Sequence, residues 1–214
     1  MSAGRLIVWR HGRTEWNLQD KIQGQADIPL DAVGLGQARS AAARLAALAP
    51  TRLFASDLKR AAATAGELAA LTGLEIEYDE ALREIDVDDW AGLTMAELAA
   101  MNPEAAARIR AGEPQRRGTA GETVEEVATR FAKALTRIAE EGTPEDTIVV
   151  ATHGLAARVG ICLFLNIPQT NWPAFGGLAN CNWISLLPGR HSWRIEEWNA
   201  GSLPEPVMSD DPQR

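Results

Sequence analysis

Cysteine, histidine and lysine are scarce in this chain of 214 residues. The two cysteines, Cys162 and Cys181, do not have the spacing of metal ligands, which argues against a structural zinc site. One disulfide between them is an alternative, but two free thiols in a reducing compartment are the better expectation. Only three of the 21 lysine and arginine residues are lysines. Arginine offers a rigid fork of donors, so this bias permits anion binding without requiring it.

Long apolar runs and a surplus of positive charge are also missing. No stretch reaches the roughly 18 apolar residues that a membrane-spanning helix needs, and the N-terminal apolar run is too short for a signal peptide. The formal net charge is −8, which argues against a surface for nucleic acid or for anionic membranes. We therefore expect a cytoplasmic protein that has neither a nucleic-acid partner nor a membrane partner.

Strand-like and helix-like patterns alternate along the chain. Apolar runs typical of buried strands are followed by apolar residues at helical spacing, and Pro188-Gly189 separates two segments that resemble a closing hairpin. The expected strands cover residues 6–9, 52–55, 74–78, 147–151, 182–187 and 192–198, and the longer helices cover residues 35–48, 57–71, 124–138 and 155–165. This pattern predicts an α/β fold, a three-layer α/β/α sandwich whose mostly parallel sheet has an antiparallel edge.

Residues 84–122 interrupt the alternation with short helical patterns. A capping-box pattern at Thr94 starts one of these helices, and a second capping box at Thr123 follows the segment. We predict a single domain over residues 1–201 in which residues 84–122 form an inserted cap-like segment. Residues 202–214 contain three prolines and two adjacent aspartates, which predicts a disordered tail.

Two of the three histidines precede glycine directly after a strand-like run. His11-Gly12 follows LIVWR and His153-Gly154 follows TIVVAT, whereas the composition alone predicts fewer than one such pair. A single histidine at such a corner is more often a hydrogen-bonded structural residue. In an open parallel sheet, however, ligands bind beyond the carboxyl ends of the strands. We therefore expect both imidazoles to lie in one site at that edge.

Charged residues at the same edge favour a phosphate ligand. Arg10 ends the first strand, Arg60 follows the second and Glu84 follows the third. Two arginine forks and the helix N-terminus after His153 suit a phosphate dianion. That dianion would repel the carboxylate of Glu84 unless the carboxylate carries a proton, which makes Glu84 a candidate general acid. A surface salt bridge from Glu84 to Arg83 or Arg60 is the alternative.

Five motifs in a fixed order resemble the histidine phosphatase superfamily, the phosphoglycerate mutase-like clan. They are Arg10-His11-Gly12 with Thr14, Glu15 and Asn17; Gln23-Gly24 within KIQGQADIPLDAVGLGQA; Ser56 to Ala61; Leu82-Arg83-Glu84 with Trp90 to Leu93; and Gly121-Glu122-Thr123 with Thr152-His153-Gly154. The resemblance implies the phosphoglycerate mutase-like fold. It also implies a phosphoric monoester hydrolase of the histidine acid phosphatase type, which works without a metal or a cofactor.

The resemblance also implies a role for each matching residue. His11 would take the phosphoryl group as phosphohistidine, and Glu84 would protonate the leaving alcohol and then activate water. The other implied catalytic residues, which hold the phosphoryl oxygens, are Arg10, Arg60 and His153, and the implied phosphate-binding residues are Asn17, Gln23, Gly24, Gly154 and Leu155.

The predicted substrate is a small phosphate ester of the sugar or glycerate type. Mutases of this superfamily carry a longer insertion with more cationic residues, whereas the region after Glu84 is short and alanine-rich, with Arg108, Arg110, Arg116 and Arg117 as its cations. A phosphatase is therefore favoured over a phosphoglycerate mutase. An α-ribazole phosphatase and a protein-phosphohistidine phosphatase share the same chemistry and remain alternatives. A serine hydrolase or a P-loop enzyme would need motifs that are absent, and an inactive binding module would lack a catalytic residue.

The segment Asn171 to Trp183 is unusually rich in aromatic residues for a loop. Its sequence, NWPAFGGLANCNW, resembles the C-terminal segment of one phosphatase branch of the superfamily. One interpretation is that it lines the leaving-group pocket, where aromatic rings would face a sugar. The other is that it forms a buried turn or the contact of a homodimer.

Overall fold

A six-stranded sheet forms the centre of the molecule, as shown by a computed structural model that describes residues 2–190 and 192–201. The strands are β1 (Arg5–Arg10), β2 (Arg52–Ala55), β3 (Ile76–Tyr78), β4 (Thr147–Thr152), β5 (Trp183–Pro188) and β6 (Trp193–Ala200), in the spatial order β3-β2-β4-β1-β5-β6. The first four strands in that order are parallel, whereas β5 and β6 are antiparallel to their neighbours. The predicted antiparallel edge is confirmed.

Helices cover both faces of this sheet. The α-helices are α1 (Glu15–Leu18), α2 (Ala32–Ala46), α3 (Lys59–Thr72), α4 (Met95–Met101), α5 (Pro103–Arg110), α6 (Val124–Glu141) and α7 (Gly154–Phe164). Ile7 and Trp9 of β1 pack with α2 and α3 on one face, and Leu6 and Val8 pack with α6 and α7 on the other. All four side chains are fully buried, and burial of each contributes about 1.5–3 kcal/mol. The three-layer sandwich is confirmed.

Helix ends follow the capping signals in the sequence. Thr94 and Thr123 form the expected capping boxes with Glu97 and Glu126. A third box, in which Thr14 and Asn17 satisfy each other, starts the short helix α1 and is not among the predicted capping boxes. Each box satisfies donors at the first turn that would otherwise lack partners.

Residues 84–122 contain α4, α5 and a short 3-10 helix, Asp88–Trp90. Backbone hydrogen bonds join this segment to the loop after α1, since Ile22 and Leu93 bond over 2.8 Å and Gly92 donates to the Ile22 carbonyl over 2.8 Å. The segment is therefore anchored beside Gln23 and Gly24, two of the implied phosphate-binding residues. The predicted disordered tail, residues 202–214, lies outside the described residues.

Both cysteines are buried, and each is a free thiol. The sequence prediction of two unpaired thiols therefore agrees with the structure. Among residues 2–190 and 192–201, no helix is both long and apolar enough to cross a membrane.

Candidate active site

The pairing of β1 with β4 brings the two His-Gly corners together. Arg10 at the end of β1 lies opposite Thr152 at the end of β4, and the His11 N–H donates to the Thr152 carbonyl over 2.9 Å. The rings of His11 and His153 are consequently edge to face, with centroids 5.2 Å apart. Both are buried, at 3% and 0% exposure. The structure thus places both imidazoles in one site, as predicted.

His11 has its ring proton fixed on one nitrogen. Its Nδ1 lies 2.7 Å from the Gly12 carbonyl oxygen, which can only accept a hydrogen bond, so Nδ1 carries the proton. Burial and then the positive charges of Arg60 and Arg10 lower the pKa of His11 well below its usual value, although the bond to Gly12 opposes them. The ring is therefore a neutral imidazole whose lone pair is on Nε2.

His153 carries its proton on the opposite nitrogen. The Nε–H of Arg60 donates to His153 Nδ1 over 3.2 Å, and because arginine cannot accept, Nδ1 must hold the lone pair. The proton is then on Nε2, which lies 2.9 Å from Ser56 Oγ. Burial, followed by the charge of Arg60, lowers the pKa of His153 well below its usual value. The sequence motif includes Ser56, but its role as a ring partner was not predicted.

Two buried arginines lie beside the histidines. Arg60 extends from the first turn of α3, and its two Nη atoms donate to the carbonyls of Gly24 and Ala26, each over 2.7 Å. Arg10 donates through Nη1 to the Leu178 carbonyl. Because the side chains of Arg10 and Arg60 are 2% and 0% exposed, their charges act in a poorly solvated environment, where electrostatic attraction to an anion is strong.

The loop after β1 positions the predicted amide ligands. Asn17 Oδ1 accepts from the Thr14 N–H over 3.1 Å and from Asn180 Nδ2 over 3.3 Å. Thr14 Oγ1 also lies 3.1 Å from Gln23 Oε1. These contacts occupy the oxygens of both amides, so the amide nitrogens are the donors that Asn17 and Gln23 can offer an anion. Gly24 has φ +50°, and its carbonyl supports Arg60.

The carboxylate of Glu84 lies at the N-terminus of α7. Its Oε1 accepts from the N–H groups of Ile85 and Ala156, both over 2.9 Å, and its Oε2 accepts from the Leu155 N–H over 3.1 Å. Gly154, the first residue of α7, joins this turn to His153. The sequence predicts that this helix N-terminus binds the phosphate, but in the structure its amides bind Glu84. A phosphoryl group that uses the Leu155 amide must share it with the carboxylate.

The alternative role of Glu84 as a surface ion pair with Arg83 is wrong. Arg83 instead forms a two-bond ion pair with Asp57 and a further pair with Glu80 over 3.3 Å. Glu84 instead accepts hydrogen bonds from the first turn of α7. Within the described part of the chain, no three His, Cys, Asp or Glu side chains cluster in a way that could hold a metal ion.

A close backbone approach fixes the loop that carries the nucleophile candidate. A Cβ atom on Gly12 would lie 2.4 Å from the Gly34 carbonyl oxygen, and one on Gly34 would lie 2.0 Å from the Arg13 carbonyl oxygen. The Gly12 N–H donates to Thr64 Oγ1 over 3.1 Å. Only glycine fits at either position, which explains the Gly34 of the KIQGQADIPLDAVGLGQA motif in steric terms.

The aromatic segment from Asn171 to Trp183 divides into two parts. Trp172 is 7% exposed and donates to the Ile167 carbonyl over 2.9 Å, and Trp183 is a core residue of β5. Both indole rings are packed inside the protein, as the buried-turn interpretation expects, and a role of this segment in the leaving-group pocket stays a prediction. Residues 178–180 of the segment contact the site directly. Asn180 donates to the His11 carbonyl over 3.2 Å, and the Leu178 carbonyl accepts from Arg10.

Residues 6–201 match the model of the histidine phosphatase superfamily (branch 1). The chain therefore belongs to this superfamily and is a phosphoric monoester hydrolase, as its motifs predicted. It is 36% identical to glucosyl-3-phosphoglycerate phosphatase of Mycobacterium tuberculosis, over 94% of this chain and 97% of the relative. It is also 33% identical to a probable phosphoglycerate mutase of Proteus mirabilis, over 91% of this chain and 89% of the relative.

Structural similarity leads to the same branch. A structure of mycobacterial glucosyl-3-phosphoglycerate phosphatase in complex with VO3 superposes with a TM-score of 0.85 at 35% identity. The match covers 92% of this chain and 99% of that one. The phosphoglycerate mutase-like fold expected from the sequence is thus confirmed over almost the whole chain.

Proposed function

We propose that this chain hydrolyses a small phosphate monoester through a phosphohistidine intermediate on His11. The observation that carries the proposal is the position of the ring proton, which the Gly12 carbonyl holds on Nδ1. The lone pair of Nε2 can therefore attack phosphorus while the bond from phosphorus to the ester oxygen breaks, its electron pair leaving with the alcohol. The lowered pKa of His11 keeps this lone pair available below neutral pH.

Arginine charges stabilise the transferring phosphoryl group in this proposal. Arg10 and Arg60 supply positive charge with little solvent screening, which suits the charge on the equatorial oxygens of a phosphoryl transition state. A phosphoryl oxygen beside Ser56 would share the Nε2–H of His153. The amide nitrogens of Asn17 and Gln23 complete the set of donors, and no step requires a metal or a cofactor.

Glu84 serves both halves of the reaction. In the first half its carboxyl group gives a proton to the leaving alkoxide, which is a poor leaving group without one. In the second half the resulting carboxylate removes a proton from water, whose oxygen attacks phosphohistidine and restores neutral His11. Both oxygens of Glu84 already have N–H partners, so the group is oriented before a substrate binds.

We propose glucosyl-3-phosphoglycerate, or a close sugar- or glycerate-type phosphate, as the substrate. The relative from M. tuberculosis supports this choice, since the similarity extends over nearly the full length of both chains. Arg117 and Arg158 are the candidate partners for a carboxylate on the substrate: burial, and then the positive charge of Arg158, lowers the pKa of Arg117, although the charge of Glu125 opposes them. Arg158 lies one turn along α7 from Leu155. A substrate carboxylate would relieve the repulsion between Arg117 and Arg158.

We further propose a single domain over residues 1–201, in which residues 84–122 act as a cap beside this site, and a cytoplasmic location. The hydrogen bonds of Gly92 and Leu93 to Ile22, the residue before Gln23, support the cap assignment. Substrate choice would then depend on Arg117, which this segment contributes.

Phosphate release from a panel of esters tests the substrate. The panel contains glucosyl-3-phosphoglycerate, 3-phosphoglycerate, α-ribazole phosphate, phosphohistidine peptide and p-nitrophenyl phosphate. We expect the highest kcat/KM on glucosyl-3-phosphoglycerate, and Arg117→Ala should raise KM for that substrate while leaving KM for p-nitrophenyl phosphate nearly unchanged. A preference for the phosphopeptide, or interconversion of phosphoglycerates without phosphate release, would overturn the proposed substrate.

Acid-labile phosphate trapped on the protein tests the intermediate. Wild-type enzyme quenched in the first turnover should carry phosphate on His11, and His11→Ala should carry none and should not turn over. Phosphate trapped on the His11→Ala variant would overturn the assignment of the nucleophile.

A further inference from the structure

Arg130 of α6 makes five hydrogen bonds to two neighbouring parts of the chain. Its Nε and Nη2 donate to the two carboxylate oxygens of Glu122, over 2.7 and 2.8 Å. Its Nη1 donates to the carbonyls of Ala81 and Arg83 over 2.9 and 2.7 Å, and its Nη2 donates to the carbonyl of Glu84 over 2.7 Å. The guanidinium therefore fixes the backbone of the residue that carries the proposed acid.

Glu122 holds the other end of the same short segment. Its Oε2 accepts from the Asp86 N–H over 2.9 Å, and its own N–H donates to the Asp86 carbonyl over 2.8 Å. The backbone from residue 81 to residue 86 is thus held at one end by Arg130 and at the other by Glu122, and the two side chains are bonded to each other. Each side chain is 21% exposed, so this charge pair is partly shielded from water.

The placement of Glu84 depends on this arrangement. Its side chain reaches the amides of Leu155 and Ala156 on α7, and a shift of its Cα along the segment would break that contact. Positioned acid catalysis is sensitive to displacements of about 1 Å. Arg130 is the member that binds the Glu84 carbonyl, and Glu122 orients its fork through two parallel bonds.

We propose that Arg130 and Glu122 are positioning residues that set the geometry of Glu84 for proton transfer to the leaving alcohol. Neither is expected to touch the substrate. The inference rests on the proposed role of Glu84, so its test must separate failure of the pair from failure of that role. Two esters make the separation possible: an alkyl phosphate needs a proton on its leaving group, whereas p-nitrophenyl phosphate does not.

The test compares the single-turnover phosphorylation rates of the wild type and three variants on both esters. The variants are Arg130→Lys, which keeps the charge but cannot form the fork, Glu122→Gln, and Glu84→Gln as the reference for loss of the acid. We expect Arg130→Lys to slow the alkyl ester by about 10-fold or more and the aryl ester by less than about threefold. Glu122→Gln should also slow the alkyl ester more than the aryl ester, but by a smaller factor. It serves as the second variant if Arg130→Lys folds poorly.

Arg52→Met is the matched control. Arg52 also binds a carboxylate through two nitrogens, that of Glu77, with 26% exposure of its side chain, but it lies at the amino end of β2, away from the site. It should leave the ratio of the two rates unchanged. An equal loss on both esters in Arg130→Lys, or the same loss in Arg52→Met, would overturn the positioning role.

The double variant Glu84→Gln with Arg130→Lys gives the second criterion. Because Arg130 acts through Glu84, it should add little further loss on the alkyl ester, and additive losses would contradict the inference. Failure of the proposed function has a different signature. In that case Glu84→Gln itself would show no preference between the esters, whereas a selective Glu84→Gln with an unselective Arg130→Lys would reject only the positioning pair.

Discussion

Arg60 donates its Nε–H to Nδ1 of His153 over 3.2 Å, and this one bond decides which nitrogen of His153 carries the proton. The other two nitrogens of Arg60 are held by the carbonyls of Gly24 and Ala26. The guanidinium therefore supplies charge, orients an imidazole and fixes the loop of Gly24 at the same time. A substitution at Arg60 removes all three effects together.

Arg60→Lys should be almost as damaging as Arg60→Ala. Lysine retains the charge, but its single ammonium cannot reach the imidazole and both carbonyls in the fork geometry of arginine. We expect kcat/KM to fall by about 10²-fold or more for alkyl and aryl phosphates alike. Arg60 stabilises charge on the phosphoryl group, and this stabilisation does not depend on the leaving group. Steady-state kinetics of both variants on both esters measure this, with thermal unfolding as the folding control. Near-wild-type activity in Arg60→Lys would show that charge alone suffices.

Glu84→Gln should discriminate between leaving groups. An alkyl phosphate should lose about 10²-fold or more in the rate of phosphorylation, because its alkoxide leaves poorly without a proton. The phenolate of p-nitrophenyl phosphate leaves unaided, so its phosphorylation rate should fall much less. Single-turnover kinetics isolate this step from water activation. If both esters lose equally, the acid role moves away from Glu84, and Asp86 and Asp88 become the next residues to test.

Acidification below pH 6.5 should destabilise the protein through its buried histidines. His11 and His153 have a folded-state pKa lowered by burial and by neighbouring positive charge. Below the unfolded-state pKa of about 6.5 the unfolded chain takes up protons that the folded chain does not. Stability is therefore lost as pH falls from that value toward the lowered folded pKa, by about 1.4 kcal/mol per pH unit for each histidine.

Urea unfolding at pH 7.5, 6.5 and 5.5 checks this dependence. His153→Gln should show a shallower loss between pH 6.5 and 5.5 than the wild type, and the two proteins should have parallel stabilities above pH 7. Identical slopes below pH 6.5 would mean that His153 takes up its proton in the folded state.

Chelators should leave activity unchanged. The proposed chemistry places phosphoryl charge on Arg10 and Arg60, so excess EDTA has no ion to remove from the reaction. Assays of phosphate release before and after dialysis against EDTA measure this. Inactivation that Mg²⁺ or Zn²⁺ reverses would contradict the metal-free mechanism.

Thiol reagents should also leave activity unchanged. Burial raises the pKa of the Cys162 thiol to about 11, with the charge of Arg158 opposing the rise, and burial raises the pKa of Cys181 still further. At pH 8 only about one Cys162 in a thousand is thiolate, the reactive form. Full activity after treatment with iodoacetamide is expected, with rapid modification in urea as the control. Rapid inactivation of the folded enzyme would show that one thiol is exposed by local opening.

The strand ends and the residues that follow them could be predicted because their signals are local. LIVWR and TIVVAT are each followed directly by a histidine, and parallel strands place such residues at one edge of the sheet. The strand expected over residues 74–78 begins only at Ile76, since the residues before it belong to the turn after the left-handed Gly73. The start of β3 depends on which of its residues pair with the neighbouring strand β2. The hydrophobic periodicity of the sequence does not show this pairing.

The contacts that orient the catalytic candidates could not be predicted in the same way. Arg130 lies far along the chain from Glu84, and its face of α6 has the same charged pattern as any solvated helix face. The Gly121-Glu122-Thr123 motif marked Glu122 without indicating its partner. The position of Glu84 on α7 was also missed, because the same helix N-terminus suited a phosphate equally well.

Because the loops of Gly12 and Gly34 are in close backbone contact, selection should constrain these two positions together although they lie apart in the sequence. Each glycine leaves room for the backbone of the other's loop, so no second substitution can compensate for a side chain at either position. In a saturation mutagenesis library, residue 34 should therefore tolerate change as poorly as Gly12, the neighbour of the proposed nucleophile, although it carries no functional group. A library intended to alter substrate choice can keep both glycines and vary residues 84–122 instead.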